Sequence, residues 1–149
     1  MRAGMEEKIR IKALDEACAV EKIDKGDWID LKARRDMLIP FLGYRVIPLG
    51  VCMELPDGYE AHVVPRSSMF GHFGIVSANS IGIIDNSYNG DGDEWGLPSI
   101  CLRFPFARIR KGERLCQFRI VRNQPDIELE FVDALGNDDR GGFGSTGKA

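Results

Sequence analysis

Short alternating stretches, each ended by glycine or proline, are the feature of this sequence that most limits its fold. Residues 8–14 read Lys-Ile-Arg-Ile-Lys-Ala-Leu, and this alternation of charged and apolar side chains is typical of a half-buried strand. Residues 28–33 alternate in the same way, with Ile29, Leu31 and Ala33 on one face. No long stretch has the 3.6-residue period of an amphipathic helix. Many short strands punctuated in this way predict an all-β barrel or jelly roll.

The same pattern predicts strands along the rest of the chain. We place two short strands within residues 38–51 and others at 61–65, 74–85, 95–106, 115–121 and 128–132. The Asn-Gly and Asp-Gly pairs at 89–93 favour the positive φ of a hairpin tip. A helix is expected only around 13–19 and as a short turn at 67–72. At 149 residues, the chain is expected to form one domain.

Charge and cysteine usage exclude several classes of protein. The net charge of −3 gives no overall basic field of the kind that binds duplex DNA, so no direct nucleic-acid binding is expected. No apolar run is long enough to cross a membrane, and no signal peptide is visible. The four cysteines are widely spaced without a Cys-x-x-Cys pair, which favours buried reduced thiols over a zinc site. We therefore expect a cytoplasmic protein.

The glycine-rich C-terminus, residues 140–147, reads Arg-Gly-Gly-Phe-Gly-Ser-Thr-Gly. Glycine loses too much backbone entropy for this segment to form a helix or a strand. Its backbone N–H groups can instead surround an anion, with the Ser145 and Thr146 hydroxyls and the Arg140 guanidinium as further donors. A flexible tail is the alternative and is favoured by composition alone. The ring of Phe143 argues against a simple linker.

Asp85 is the most informative single candidate for chemistry. It follows the aliphatic run at 81–84 and precedes the hairpin tip. A carboxylate at the end of a buried strand can be held rigidly enough to orient a water molecule. Tyr88, three residues later, offers a flat face for a sugar or, alternatively, packs across strands.

Other polar residues each allow a functional and a structural interpretation. Residues 66–68, Arg-Ser-Ser, can bind a phosphate or form an ordinary turn. Gln117 lies in an apolar strand, where its amide needs a partner. Asp30 is by base rate more often a solvated carboxylate than a ligand. His62 and His72 match no catalytic triad, and the phosphate-binding glycine loop of the P-loop proteins is absent.

Five segments in order carry a family resemblance. They read Asp-Leu-Lys-Ala at 30–33, Pro-Arg-Ser-Ser at 65–68, Gly-Ile-Ile-Asp-Asn-Ser-Tyr-Asn-Gly at 82–90, Lys-Gly-Glu-Arg-Leu-Cys-Gln at 111–117, and the glycine-rich segment at 140–147. Together they resemble the five motifs of the trimeric dUTP diphosphatases (dUTPases). The form Gly-Asp-Trp-Ile-Asp-Leu at 26–31 resembles the branch found in Gram-positive bacteria and their phages.

This resemblance implies a fold, an assembly and a reaction. The family is a β-clip, or distorted jelly-roll barrel, that forms a homotrimer whose three active sites each use all three subunits. Residues 1–138 would form the jelly-roll domain and residues 139–149 a mobile C-terminal lid of that domain. The implied reaction converts dUTP to dUMP and pyrophosphate by attack of an Asp85-activated water on the α-phosphorus. It limits uracil incorporation into DNA and supplies dUMP for thymidylate synthesis.

The resemblance also implies how the nucleoside is recognised. Tyr88 would stack under the deoxyribose and leave no room for a 2′-hydroxyl. Asn79 and the strand residues Gly82, Ile83 and Ile84 would read uracil, and a narrow hairpin pocket would reject the methyl group of thymine.

Phosphate and metal ligands follow from the remaining motifs. Arg66, Ser67, Ser68 and Gln117 would hold the phosphates, and Asp30 would lie near Mg²⁺ through a water molecule. The lid residues expected to contact the substrate are Arg140, Phe143, Gly144, Ser145 and Thr146. Phe143 would cover uracil, while Arg140 and the two hydroxyls would reach the γ-phosphate. One departure concerns spacing, because Arg140 lies three residues before Phe143, two fewer than is common in the family.

Two alternatives to a simple dUTPase remain. A dCTP deaminase has the same fold but would replace the Asp85 and Tyr88 arrangement, which this chain keeps. Phage-branch members also act on regulatory proteins, so a regulatory protein partner is an expectation alongside hydrolysis.

Overall fold

The computed structural model of this protein describes residues 6–144 and residue 147. The described part of the chain is built from strands, one short α-helix and one 3-10 turn. The strands are β1 (Arg10–Ala13), β2 (Ile29–Lys32), β3 (Met37–Pro40), β4 (Tyr44–Pro48), β5 (Val51–Glu54), β6 (Tyr59–Pro65), β7 (Ile75–Ser77), β8 (Gly82–Ile84), β9 (Gly96–Cys101), β10 (Phe106–Ile109) and β11 (Arg114–Arg122). Helix α1 spans Met69–Phe73, and the 3-10 turn spans Glu16–Cys18. The prediction of an all-β fold is confirmed.

Within the described residues, four antiparallel sheets are formed by strands that are mostly distant in sequence. The largest has the order β2-β11-β6-β8, and a second has the order β4-β9-β7. Two further pairs join β1 with β5 and β3 with β10. Strand β11 is central because it pairs with β2 on one edge and β6 on the other. It thereby places residues of three distant segments side by side.

The core lies between these sheets and is almost entirely apolar, with Ser99 as a buried polar residue. Trp95 and Phe118 are its largest side chains, with exposed fractions of 1% and 0%. Their rings meet edge to face, with centroids 5.2 Å apart. Such a pair contributes about 1 kcal/mol beyond its buried area. The four cysteines are free and buried, as predicted.

Several predicted elements differ in their bounds. Residues 74–85 form two short strands, β7 and β8, because a turn interrupts them at Ser80, where φ is +62°. Around 13–19 only the 3-10 turn forms, capped by the Asp15 carboxylate, which accepts a hydrogen bond from the Ala17 N–H at 2.9 Å. Within residues 95–106, β9 ends at Cys101 and β10 begins only at Phe106. The turn predicted at 67–72 is present as α1.

The prediction of a strand at 128–132 was wrong. Residues 123–144, which we name the C-terminal arm, contain no helix or strand. A strand needs a neighbour to satisfy its backbone groups. Apart from the Asn123 N–H, which donates to the Gly58 carbonyl, no described part of this chain pairs with the backbone of the arm. Leu129 and Phe131 are 77% and 95% exposed. No helix in the described ranges is long and apolar enough to cross a membrane.

Candidate active site

A charged cluster joins the ends of three strands in the largest sheet. In β11, Gln117 lies opposite Asp30 of β2 and opposite Val64 of β6. The Asp30 carboxylate has one oxygen 3.3 Å from Nε of Arg66 and the other 3.6 Å from Nη1 of Arg114. The Gln117 amide donates to the Pro65 carbonyl at 3.3 Å. The structure therefore brings together three predicted phosphate or metal residues, Asp30, Arg66 and Gln117.

Arg114 belongs to this cluster and was not predicted as a site residue. Its Nη2 also lies 3.6 Å from a Glu21 oxygen, so the two guanidinium groups face two carboxylates. The N–H donors of the guanidinium groups suit a phosphate. The side chains of Arg66 and Arg114 are 33% and 43% exposed, which leaves donors free on the solvent side. The signal that could have found Arg114 is its place three residues before Gln117 at the start of the same strand.

Cys116 lies beneath the cluster and is chemically unreactive. Burial, with a smaller contribution from the Asp30 charge, raises the pKa of its thiol to about 12. Because the thiolate is the reactive form of cysteine, this thiol offers no nucleophile to a bound phosphate.

Helix α1 begins directly after the predicted phosphate residues. Ser68 occupies the cap position and its hydroxyl makes no capping hydrogen bond, while Ser67 is exposed. Arg103 donates to the carbonyls of Gly71 and His72 at 2.9 and 2.8 Å, which fixes the other end of the helix. The two hydroxyls therefore lie on a short element that is anchored from behind.

Asp85 lies directly after β8, at the surface. Its Oδ1 accepts hydrogen bonds from the backbone N–H of Ser87, at 2.8 Å, and from the Ser87 hydroxyl. The hydroxyl first, and then the N–H, lower the pKa of the Asp85 carboxyl below its ordinary value. The carboxylate is therefore ionised at neutral pH and has a fixed orientation. Sequence reasoning did not identify Ser87.

Asn86 attaches this loop to the body of the protein. Its side-chain amide donates to the carbonyls of Pro56 at 2.9 Å and Tyr59 at 3.1 Å, with the Leu55 carbonyl at 3.5 Å. These carbonyls lie in and beside the turn between β5 and β6. Asn86 lies within the third motif, and the sequence predicted no role for it.

Tyr88 has a separate anchor. Its hydroxyl donates to the Glu94 carbonyl at 3.0 Å. The Glu94 carboxylate in turn accepts from Nη1 of Arg34 and from the backbone N–H of Gly50, both at 2.9 Å. Burial raises the pKa of the Tyr88 hydroxyl, so it remains a neutral donor. Its ring is 41% exposed and can contact a ligand.

Strand β8 has one open edge in the described chain. It pairs with β6 through Gly82, Ile83 and Ile84 and is the last strand of its sheet. Its other edge therefore presents unpaired backbone donors and acceptors, the groups that can read a base edge. Asn79 lies in the exposed turn before the strand. Its side-chain amide nitrogen is close to Gly82, since a Cβ added to this glycine would lie 3.9 Å from it.

Asp85 and the charged cluster are not brought together within one chain. Ile84, next to Asp85, lies opposite Ala61, whereas Arg66 follows the other end of β6. Five residues of extended strand separate Ala61 from Arg66, which corresponds to about 16 Å. Arg140, Phe143 and Gly144 are exposed on the arm, and Ser145 and Thr146 lie outside the described residues.

Comparison with known proteins gives the family. The family model described as dUTPase matches residues 29–147. The chain belongs to the dUTPase family. It is 53% identical over 141 residues to the SPbeta prophage-derived deoxyuridine 5'-triphosphate nucleotidohydrolase YosS of Bacillus subtilis, an alignment that covers 94% of this chain and 98% of that relative. The predicted resemblance to the dUTPases is confirmed.

Solved dUTPase structures share the fold of this dUTPase. A mutant of the Staphylococcus bacteriophage 80alpha dUTPase with dUpNHpp superposes with a TM-score of 0.79 at 21% identity, covering 95% of this chain and 99% of that one. Structural work on the 80alpha enzyme describes phage dUTPases as controlling transfer of virulence genes by a proto-oncogenic G protein-like mechanism. A mutant dUTPase from phage phi11 of S. aureus has a TM-score of 0.75 at 19% identity, covers 87% of this chain and 99% of its own, and coordinates a structural Mg(II) ion.

Proposed function

We propose that this dUTPase hydrolyses dUTP to dUMP and pyrophosphate by in-line attack of a water molecule, activated by Asp85, on the α-phosphorus. The observation that carries the proposal is the fixed, ionised Asp85 carboxylate at the end of β8. Because its pKa is lowered, Asp85 accepts a proton at neutral pH but is a weak base. Positioning of the water and neutralisation of phosphate charge therefore supply most of the rate enhancement. The reaction would limit uracil incorporation into DNA and supply dUMP for thymidylate synthesis.

Specificity is assigned to the same hairpin. The exposed face of Tyr88 would stack under deoxyribose, and its fixed hydroxyl keeps the ring where a 2′-hydroxyl would clash. Asn79, with the open edge of β8 at Gly82, Ile83 and Ile84, would read uracil. These groups lie on one short strand and its flanking turns. Uracil and deoxyribose would therefore be recognised next to Asp85, the proposed general base.

A homotrimer with shared sites is the assembly that best explains the geometry. Arg66, Ser67, Ser68, Gln117 and Arg114 are proposed to hold the phosphates. Since Arg66 lies about 16 Å from the Asp85 end of β6 by strand register, a complete site would combine the Asp85 hairpin of one subunit with the charged cluster of another. The exposed apolar side chains of the arm support contact with a neighbouring subunit.

The end of the arm is proposed as a lid. Residues 1–138 would form the jelly-roll domain and residues 139–149 the lid that closes over a bound nucleotide. Phe143 is fully exposed, as expected of a ring whose partner is the uracil base. Arg140, Ser145 and Thr146 would donate to the γ-phosphate, and Gly144 would let the backbone approach it.

The residues near Asp30 suit Mg²⁺ that arrives with the substrate. Within residues 6–144, no group of three or more His, Cys, Asp or Glu side chains is placed to hold a metal ion. Both Asp30 oxygens already face guanidinium groups, which leaves the carboxylate to bind a water of the ion. Mg²⁺ commonly keeps several waters and binds substrate phosphates. When bound, it would neutralise charge on the phosphate oxygens.

A regulatory protein partner is the second candidate role, favoured by the description of phage dUTPases as control proteins. We propose it as additional to hydrolysis, because the proposed catalytic positions are filled. A cytoplasmic location suits the nucleotide substrate and the four reduced cysteines.

Pyrophosphate release from dUTP, dCTP, dTTP and UTP in the presence of Mg²⁺ tests the proposal. Selective turnover of dUTP is expected. Equal turnover of UTP would contradict the role of Tyr88, and formation of dUTP from dCTP would favour a deaminase. Asp85→Asn is expected to abolish most turnover while nucleotide binding persists; an active variant would mean that another group activates the water.

A further inference from the structure

We propose that Asn86 is a positioning residue that sets where the proposed base Asp85 lies, by binding its loop to the turn between β5 and β6. The inference rests on the proposed role of Asp85. Asn86 itself contacts neither the water nor the nucleotide in this scheme, and it acts through the backbone that it shares with Asp85.

The need for such an anchor follows from the shape of β8. This strand has three residues and is paired on one edge only, through Ala61, His62 and Val63 of β6. The ladder stops at Ile84, so the backbone of Asp85 is not held by sheet pairing. The hydrogen bonds between Ser87 and the Asp85 carboxylate are local to the loop. They orient the carboxylate within the loop but do not attach the loop to the body.

Asn86 supplies the missing attachment. An amide group has two N–H donors, and here both have acceptors at good distances, the carbonyls of Pro56 and Tyr59 at 2.9 and 3.1 Å. The side chain is half-buried, so these bonds are partly shielded from competing water. Because the acceptors are backbone carbonyls 27 and 30 residues away in sequence, the amide joins the loop to a different strand connection.

The same turn also holds the start of the C-terminal arm. The N–H of Asn123 donates to the Gly58 carbonyl at 3.0 Å, and Arg122 stacks over the Tyr59 ring at 5.4 Å. The turn at residues 56–59 is therefore fixed from two sides. A fixed turn is a suitable reference point for a catalytic carboxylate, since an error of about 1 Å in such a group can cost 100-fold in rate.

The side-chain anchor of Tyr88 is separate from that of Asn86, and this separation makes the proposal testable. The backbone still links the two parts of the loop, because the Tyr88 N–H donates to the Asp85 carbonyl at 3.0 Å. The Tyr88 hydroxyl is fixed through Glu94 to Gly50 and Arg34, none of which contacts Asn86. Loss of the Asn86 amide is therefore expected to displace Asp85 more than the Tyr88 ring. Turnover would fall, while the preference for deoxyribose would remain.

The experiment compares kcat, KM and the dUTP-to-UTP preference of Asn86→Ala, Asn86→Asp and Asn86→Ser with those of the wild type. We expect kcat for dUTP to fall about 10- to 100-fold in Asn86→Ala, with KM and the dUTP-to-UTP preference unchanged. Asn86→Asp is expected to be at least as impaired, because a carboxylate cannot donate to a carbonyl. Asn86→Ser keeps one donor and is expected to retain more activity than either.

Two controls separate this inference from the proposed function. Asn123→Ala removes an exposed side chain beside the same turn and should have wild-type kcat and KM. Asp85→Asn tests the base itself; if it stays active, the proposed role of Asp85 fails whatever Asn86 does. If Asp85→Asn is inactive and Asn86→Ala keeps wild-type kcat, only the positioning role is overturned. Equal loss of kcat and of the dUTP-to-UTP preference in Asn86→Ala would also overturn it.

Hydrogen exchange gives a readout that activity cannot. In Asn86→Ala, the amides of residues 85–88 are expected to exchange faster, while those of β6 and β11 are unchanged. If loop exchange equals that of the wild type, the loop does not depend on Asn86. If Asn86→Ala does not fold, the same comparison is made with Asn86→Ser. A kcat below that of the wild type with an unchanged dUTP-to-UTP preference would support the proposal. A wild-type kcat would overturn it.

Discussion

The distance between Asp85 and Arg66 along β6 predicts that two inactive variants can restore activity when they assemble together. Asp85→Asn removes the proposed base, and Arg66→Ala removes a proposed phosphate ligand. Each variant alone is expected to form trimers without useful activity. If a site takes its hairpin from one subunit and its charged cluster from another, a mixed trimer can contain sites in which both residues are intact.

Strand register gives the distance on which this prediction rests, and random assembly gives the expected size of the effect. Ile84 faces Ala61, and about 16 Å of strand separates Ala61 from Arg66, too far for the two side chains to act on one phosphate group. At equal proportions and random assembly, the hairpin of a site is intact in half of all cases and so is the cluster. About one quarter of the sites in the mixture are then complete.

Co-refolding provides the assay. Equal amounts of the two variants are unfolded together, refolded and assayed for pyrophosphate release from dUTP, while native mass spectrometry of differently tagged chains counts the mixed trimers. The expected activity is about one quarter of that of the wild type treated in the same way. Each variant refolded alone is the control. Activity that stays at the level of the separate variants, although mixed trimers form, would refute the shared-site reasoning.

Three further predictions concern the base, the core and the lid. Asp85 must be ionised to act, so activity is lost as pH falls through its lowered pKa; Ser87→Ala removes the largest cause of that lowering and should move the acid limb of the kcat profile to higher pH. Trp95→Ala leaves a cavity against Phe118 and should lower the free energy of unfolding in urea by about 3–5 kcal/mol. Deletion of residues 139–149 should leave the thermal midpoint and the trimer unchanged while kcat/KM falls; loss of the trimer would show that this segment is structural.

The sequence predicts the fold class well because its alternating pattern reflects burial. Strands β2, β6 and β11 were all expected from that pattern, since one face of each strand packs on the core. Asp30, Arg66 and Gln117 were predicted from their motifs, and the register of β11 explains why residues so far apart in sequence meet. The strand pairing is what joins them, and alternation alone does not specify which strands become neighbours.

Three of the residues that sequence reasoning missed share a different property. Asn86, Glu94 and Arg114 act through side-chain contacts with distant backbone or charged groups, the Glu94 contact with Arg34 spanning 60 residues. No local pattern specifies the distant partner of such a contact. The wrong prediction of a strand at 128–132 arose from a local pattern and not from a distant contact. The alternation of polar and apolar residues is present, but a strand also requires a partner edge, which the described residues of this chain do not supply.

The alternating residues 127–131, which pair with no described strand, affect how a newly made subunit avoids aggregating with its own copies. Ile127, Leu129 and Phe131 are exposed apolar residues, and a run of this kind is prone to stack with identical runs from other chains. Glu128 and Glu130 lie between them, so identical arms aligned in register would place like charges directly opposite each other. The acidic residues thus act as gatekeepers against self-stacking. They leave the arm free to meet a surface of different charge.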